Sequence, residues 1–212
     1  MKNAYLLYLL PGFLMLSCND GKQNGENSQN SEPVEQTREL EKVLSDNENF
    51  LIENKAAGDF QLADPIPTSP ENYSISKTQQ TRTTEEGPTE EIVYVVRQGD
   101  EVLLELLPSI EPATGEPSGK IGEMRLISDK FTTAEGIGIG SSLEEFINAY
   151  PNYKLWYTYV SNRYVLEAEA LKAQFLLGEE DFTGEVEVSG VMTPLEKEDF
   201  RQAAEIKGIR IY

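Results

Sequence analysis

The chain has no histidine and a single cysteine, Cys18, in 212 residues. Without histidine there is no Ser-His-Asp or Cys-His catalysis, no imidazole metal site and no ordinary proton switch near neutral pH. A lone cysteine cannot close an intramolecular disulfide, so the fold must rest on an apolar core, and a chain of this length is long enough to build one. Basic residues are scarce: 18 Lys and Arg stand against 37 Asp and Glu, a net charge of -19. That balance argues against nucleic acid as a partner, because binding it relies on Lys and Arg neutralising phosphates. It equally disfavours adhesion of the domain surface to anionic lipid, and its plain reading is solubility. No apolar run is long enough to cross a bilayer: the longest, Ala4 to Leu16, covers about 13 residues, where a span needs roughly 20. The expectation is a chain with no cofactor and no metal.

What is present begins with that run. It leads into Ser17 and Cys18. An apolar run with a small residue at its end also describes an ordinary secretory signal, but the one cysteine of the chain stands directly at the cut. The arrangement resembles a bacterial lipoprotein signal peptide with Met15-Leu16-Ser17-Cys18 as its lipobox. The resemblance implies cleavage before Cys18, lipidation of that cysteine with palmitate-type acyl chains, and residence in the bacterial cell envelope at the outer membrane. Residues 1–17 would be the signal. Residues 18–36 would be a disordered tether, since the stretch from Asn19 to Pro33 has no apolar side chain to bury. Eighteen such residues span about 20–25 Å. Residues 37–212 would form one globular domain.

Along that domain, strands predominate. A short helix is expected over Thr37–Leu44. Phe50-Leu-Ile52 reads as a short strand or helix end, and the prolines of Ala63–Pro70 mark a turn-rich stretch. Tyr73–Ser76 alternates like an edge strand. Thr78–Thr89 is polar and reads as a loop. Glu91–Val96 and Val102–Leu107 flank Gln98-Gly99-Asp100, a hairpin signal. Pro108–Gly119 reads as a loop. Ile121–Ile127 reads as a strand with Ile121, Glu123, Arg125 and Ile127 on one face. In Gly136–Pro151, Ser142 with Glu145, or Ser141 with Glu144, offers a capping box. Leu143, Phe146, Ile147 and Tyr150 form the apolar face of the helix that follows, and Pro151 ends it. The glycines have the wrong spacing for a dinucleotide loop, and no lysine follows as in a P-loop, so they read as a tight strand-to-helix turn. Tyr153–Val160 and Tyr164–Ala168 form a second hairpin about Ser161–Arg163. Gln174–Leu177 is a strand, and Val186 with Val188 is a possible one. Thr193-Pro-Leu-Glu196 looks like a helix start, and Glu205–Ile211 closes the chain as a strand. Runs of strands with two short helices, without βαβ alternation, indicate an α+β domain built mainly on antiparallel β-sheet.

The order of these elements resembles a domain-of-unknown-function family that includes a sigma-E-regulated outer-membrane lipoprotein of enterobacteria. The resemblance rests on Gly58-Asp-Phe-Gln-Leu62, Arg97-Gln-Gly-Asp-Glu-Val102 and Gly119-Lys-Ile-Gly-Glu-Met-Arg-Leu-Ile127. Gly136-Ile-Gly-Ile-Gly140 and Glu205-Ile-Lys-Gly-Ile-Arg-Ile211 complete it. It covers roughly Phe50 to Tyr212, with longer loops here at Ile66–Glu90 and Ser109–Ser118. It implies fold and location, and it transfers no catalytic residue.

Three places invite a site. The aromatic hairpin carries Trp156, Tyr157, Tyr159 and Tyr164, side chains with polar tips that suit sugar or protein contacts, although ordinary sheet packing produces the same composition. Glu179-Glu-Asp181 with Glu185 and Glu187 offers oxygen ligands, but its spacing matches no calcium loop. Any carboxylate pair is a formal candidate for hydrolysis. The reading is therefore a membrane-anchored envelope lipoprotein whose domain is a non-enzymatic binding or envelope-maintenance module. It would meet the membrane through lipid at Cys18 and bind an envelope protein or glycan, with no nucleic acid. The alternative is a lipid-anchored hydrolase that attacks an envelope polymer through paired carboxylates. A concave pocket with convergent, pKa-shifted carboxylates would favour the enzyme.

Overall fold

A computed structural model describes residues 49–68, 70–84 and 87–212. Cys18, the signal and tether expected over 1–36, and the helix expected at Thr37–Leu44 lie outside the described residues. Thirteen strands and one α-helix follow in chain order. They are β1 (Leu51–Glu53), β2 (Ala56–Ala57), β3 (Phe60–Gln61), β4 (Ser74–Thr84), β5 (Gly87–Gln98), β6 (Glu101–Ile110), β7 (Pro117–Leu126) and β8 (Thr132–Thr133). Then come α1 (Leu143–Ala149), β9 (Tyr153–Thr158), β10 (Arg163–Ala168), β11 (Ala173–Leu177), β12 (Thr193–Pro194) and β13 (Ile206–Ile211). Nine strands form one sheet in the order β12-β9-β10-β11-β13-β7-β6-β5-β4, every pair antiparallel. A small sheet, β3-β2-β1-β8, joins its last pair in parallel.

Period-two alternation sorts the large sheet into two faces. One face presents Val96, Leu104, Leu106, Met124, Leu126, Leu166, Phe175 and Ile209 to the main core. Against it lie Leu143 and Phe146 of α1 and Ile52, Ala57 and Phe60 of the small sheet. The helix forms for the reason its sequence suggests. Ser142 caps it by accepting the Glu145 N–H at 3.2 Å, and Glu145 Oε2 accepts the Ser142 N–H at 2.7 Å. A two-turn helix has little stability of its own, so its place depends on the buried Leu143 and Phe146.

The structure corrects the sequence reading in several places. The sheet is antiparallel as expected, but the described residues hold one α-helix and two 3₁₀ turns, Glu179–Asp181 and Lys197–Asp199, in place of two short helices. At the expected second helix, Thr193 and Pro194 instead pair with Tyr157 and Trp156 of β9. The capping residues lie three residues later, where the Glu196 N–H donates to Asp199 Oδ2 at 2.9 Å, and the extended backbone of Phe200 stops the chain after one turn. The polar stretch read as a loop from Thr78 is strand: β4 pairs with β5 residue by residue from Ser74↔Arg97 to Thr84↔Gly87. Threonine is β-branched and needs no buried face to hold an edge strand. Pro108–Gly119 likewise contains the ends of β6 and β7. Ile121 does not share a face with Glu123 and Arg125, for the register shifts between Leu107 and Pro108 and both Ile121 and Met124 reach the core. Gly122 sits in that bulge, where a Cβ would lie 2.6 Å from Ser109 Cα. Val186 and Val188 are not in a strand.

Candidate functional site

The aromatic hairpin folds as expected, β9 against β10 with Tyr157 opposite Tyr164 and Trp156 opposite Val165. Because neighbours in a strand face opposite ways, the four residues do not come together. Tyr157 and Tyr164 lie on the main-core face with ring centroids 5.2 Å apart. Tyr164 also stacks on Phe182 at 4.6 Å and meets the edge of Phe200 at 5.6 Å. Burial, with the nearby Tyr157 and Glu179, raises the Tyr164 hydroxyl pKa. Trp156 faces the other way, packed with Val165 and Leu176, and is 8% exposed. Its Nε1–H is buried with no acceptor among the described residues. Tyr159 stands at the hairpin end, 36% exposed. The two tyrosine rings are thus core packing.

The acidic stretch does not converge. Asp181 is buried, accepts from Arg201 Nε at 2.8 Å and from the Glu205 N–H at 3.3 Å, and so fastens the turn to the end of the chain. Among the described residues no group of three or more His, Cys, Asp or Glu is placed to hold a metal ion. The glycine loop before α1 is not an anion cradle either, because its N–H groups are used internally. Gly136 donates to Thr133 O at 2.8 Å, Gly138 to Ser141 Oγ at 3.0 Å, and Gly140 to Ile206 O at 2.8 Å. Gly136 and Gly140 hold φ of 80° and 89°, which L side chains rarely adopt.

The feature that the linear reading missed lies on the second face of the large sheet. In register across seven strands stand Val95, Glu105, Arg125, Arg210, Gln174, Glu167 and Lys154. Arg125 donates to Glu91 through Nη1 and Nη2 at 2.5 and 3.0 Å, and through Nε to Glu123 at 2.8 Å. Arg210 grips the same Glu123 with Nε at 2.9 Å and Nη2 at 2.8 Å. Burial by itself pushes the Glu123 carboxyl up, but hydrogen bonds and charge from Arg210 and Arg125 outweigh it, and its pKa is lowered. Arg125 is correspondingly held charged, its desolvation outweighed by Glu91 and Glu123. Gln80 of β4 donates to Glu105 at 3.0 Å and brings the edge hairpin into the network.

Beside this network is a cavity of about 220 Å³ lined by Arg125, Arg163, Lys207 and Arg210, with Leu176 and Gly208. No acidic residue lines it among the described residues. Arg125 and Arg210 are matched by glutamates, and Lys207 by Glu205 at 2.9 Å. Arg163 is half-buried and makes no side-chain hydrogen bond or ion pair among the described residues. Its pKa is lowered, first by burial and then by the charges of Arg210, Arg82 and Arg125. The signal in the sequence was charge at alternate positions of otherwise apolar strands, as in Glu123-Met-Arg125 and Ile209-Arg-Ile211. A second cavity, of about 270 Å³, lies between α1 and the second 3₁₀ turn, lined by Leu143, Ile147, Lys197, Phe200 and Arg201 among others.

A general acid needs a carboxyl held up towards neutral pH. The carboxyls with a clear shift among the described residues, Glu101, Glu123, Glu135 and Glu145, are all lowered. No helix among the described residues is long and apolar enough to cross a membrane.

No protein-family model and no curated protein matches the chain. Among solved structures, it is similar to the uncharacterized protein yfeY from Escherichia coli, at 12% identity over 76% of this chain and 98% of that one, with a TM-score of 0.44.

Proposed function

We propose that the chain is an envelope lipoprotein of the domain-of-unknown-function family named above, anchored in the outer membrane through lipid on Cys18. Its domain serves as a binding or envelope-maintenance module for an envelope protein or glycan. The observation that carries the reading is the end of the apolar run at Ser17-Cys18, followed directly by the polar stretch to Pro33. A single acyl chain holds a protein to a membrane only marginally, whereas several hold it firmly, and the lipoprotein resemblance implies several. The non-enzymatic reading over the hydrolase is supported by the charge pattern, since the clustered glutamates Glu91 and Glu123 are committed to arginines.

The test is Cys18→Ala in a bacterial host, followed by membrane fractionation and mass spectrometry of the amino terminus. The substitution is expected to release the chain from membranes or leave its signal uncut. Normal cleavage with unchanged membrane retention would sink the reading.

A further inference from the structure

We propose that the cavity between β7, β10 and β13 is a phosphate-binding site, with Arg163 as its principal ligand and Arg210 and Arg125 at its flanks. The inference holds whether or not Cys18 carries lipid.

The first ground is the sign of the lining. In a chain of net charge -19, four cationic side chains and, among the described residues, no acidic one face a single cavity. Random placement of charges on so acidic a chain would put carboxylates there. The second ground is the imbalance within the four. Arg125 and Arg210 share Glu123, Arg125 holds Glu91 as well, and Lys207 holds Glu205. Arg163 has no such partner among the described residues, although it is half-buried beside two other guanidiniums, and the carboxylate that opposes their charge, Glu123, is already held by both of them. A partly desolvated cation among like charges is unfavourable unless an anion completes it.

The third ground is geometry. Arg163, Arg125 and Arg210 come from three different strands, and the guanidinium fork matches oxyanions with two parallel N–H donors. Arg125 and Arg210 already donate through every guanidinium nitrogen, to Glu91, Glu123 and Gln174, so they flank the cavity with charge while Arg163 brings the fork that has no partner among the described residues. Space is adequate: about 220 Å³ is well above the roughly 10–15 Å³ that one water needs on the same measure, enough for a phosphate and the first atoms of an ester group. Gly208 keeps its side of the cavity free of a side chain, and Leu176 supplies an apolar wall. Trp156 Nε1–H, a second donor without an acceptor among the described residues, lies on the same sheet face.

The same phosphate chemistry has two sources, a free phosphate or a phospholipid headgroup, and two arms separate them. In the first, the full chain in neutral detergent is titrated with inorganic phosphate at constant ionic strength by calorimetry. In the second, the full chain is placed in phosphatidylcholine nanodiscs with or without phosphatidic acid, and Trp156, the chain's one tryptophan, reports by fluorescence. Saturable binding in the first arm, weakened at least about tenfold by Arg163→Gln and kept by the exposed control Lys120→Gln, is the expected result for free phosphate. A fluorescence change seen only with phosphatidic acid, and lost in Arg163→Gln, is the expected result for a headgroup. If Arg163→Gln fails to fold, Arg163→Lys carries the test: it keeps the charge, loses the fork, and must weaken binding. No response in either arm, a response equal in the Arg163 and Lys120 variants, or binding of acetate without phosphate overturns the proposal.

Discussion

Phe146→Ala removes a ring that is 0% exposed and sits where α1 meets the large sheet. The ring lies 4.9 Å from Phe175 in an edge-on arrangement and 5.1 Å from Tyr150. Truncating a buried phenylalanine costs about 3–5 kcal/mol through lost transfer energy and the cavity left behind. Each aromatic pair adds about 0.5–1.5 kcal/mol beyond area, which places the expected loss in the upper half of that range. One effect limits it. A helix of two turns has little stability alone, so α1 can detach locally once its anchor is gone, and the loss then stops at the cost of undocking the helix. Domains of this size have about 5–15 kcal/mol in total, so the variant should still fold but with a much lower urea midpoint. Phe146→Leu, which keeps most of the volume but loses both aromatic pairs, should cost about 1–3 kcal/mol, less than the alanine variant. Equilibrium urea unfolding of the full chain in mild detergent measures both. A loss below about 1 kcal/mol for the alanine variant, with an unchanged slope, would falsify the assignment of α1 to the core.

The remaining expectations are shorter. Glu123 has a folded pKa below its ordinary 4.5, so its ion pairs with Arg125 and Arg210 stabilise the fold above that pH and are lost as pH falls through the lower folded value. Glu123→Gln should therefore lower stability at pH 7 and flatten the acid limb below about 4.5; an acid limb identical to that of the native chain counts against the network. A chelator should leave the melting temperature unchanged, and a drop of several degrees would show that the acidic stretch around Asp181 holds an ion after all. Membrane release by Cys18→Ala and loss of phosphate binding by Arg163→Gln complete the set.

Local signals were read where the physics is local. The turn at Gly99, with φ of 60°, the capping box at Ser142 and the strand–turn–strand pattern around Asn162 each depend on a few adjacent residues. The long edge hairpin was missed because β4 gains its structure from pairing with β5, and its threonines and glutamines carry no apolar rhythm. The bulge at Gly122 was missed because it depends on the close approach of Ser109. The charged face was illegible for a related reason. Glu123 and Arg210 are 87 residues apart, and only the order β13-β7-β6 makes them neighbours. The aromatic hairpin was legible as sheet packing, and the pleat assigns Trp156 and Tyr157 to opposite faces.

Among the described residues the nine-stranded sheet is open, with β12 at one edge and β4 at the other. At one end β12 is two residues long and includes Pro194, so it has almost nothing to offer an incoming strand. At the other end β4 runs for 11 residues, an edge about 36 Å long at roughly 3.3 Å per residue that pairs with β5 alone among the described strands. Nothing in its hydrogen-bonding geometry distinguishes a foreign strand from a native one. What discourages addition there is charge, Lys77 and Arg82, on a strand that offers no apolar stripe. For this fold, the same polarity that hid β4 from a reading of hydrophobic pattern is its protection against self-assembly into fibrils.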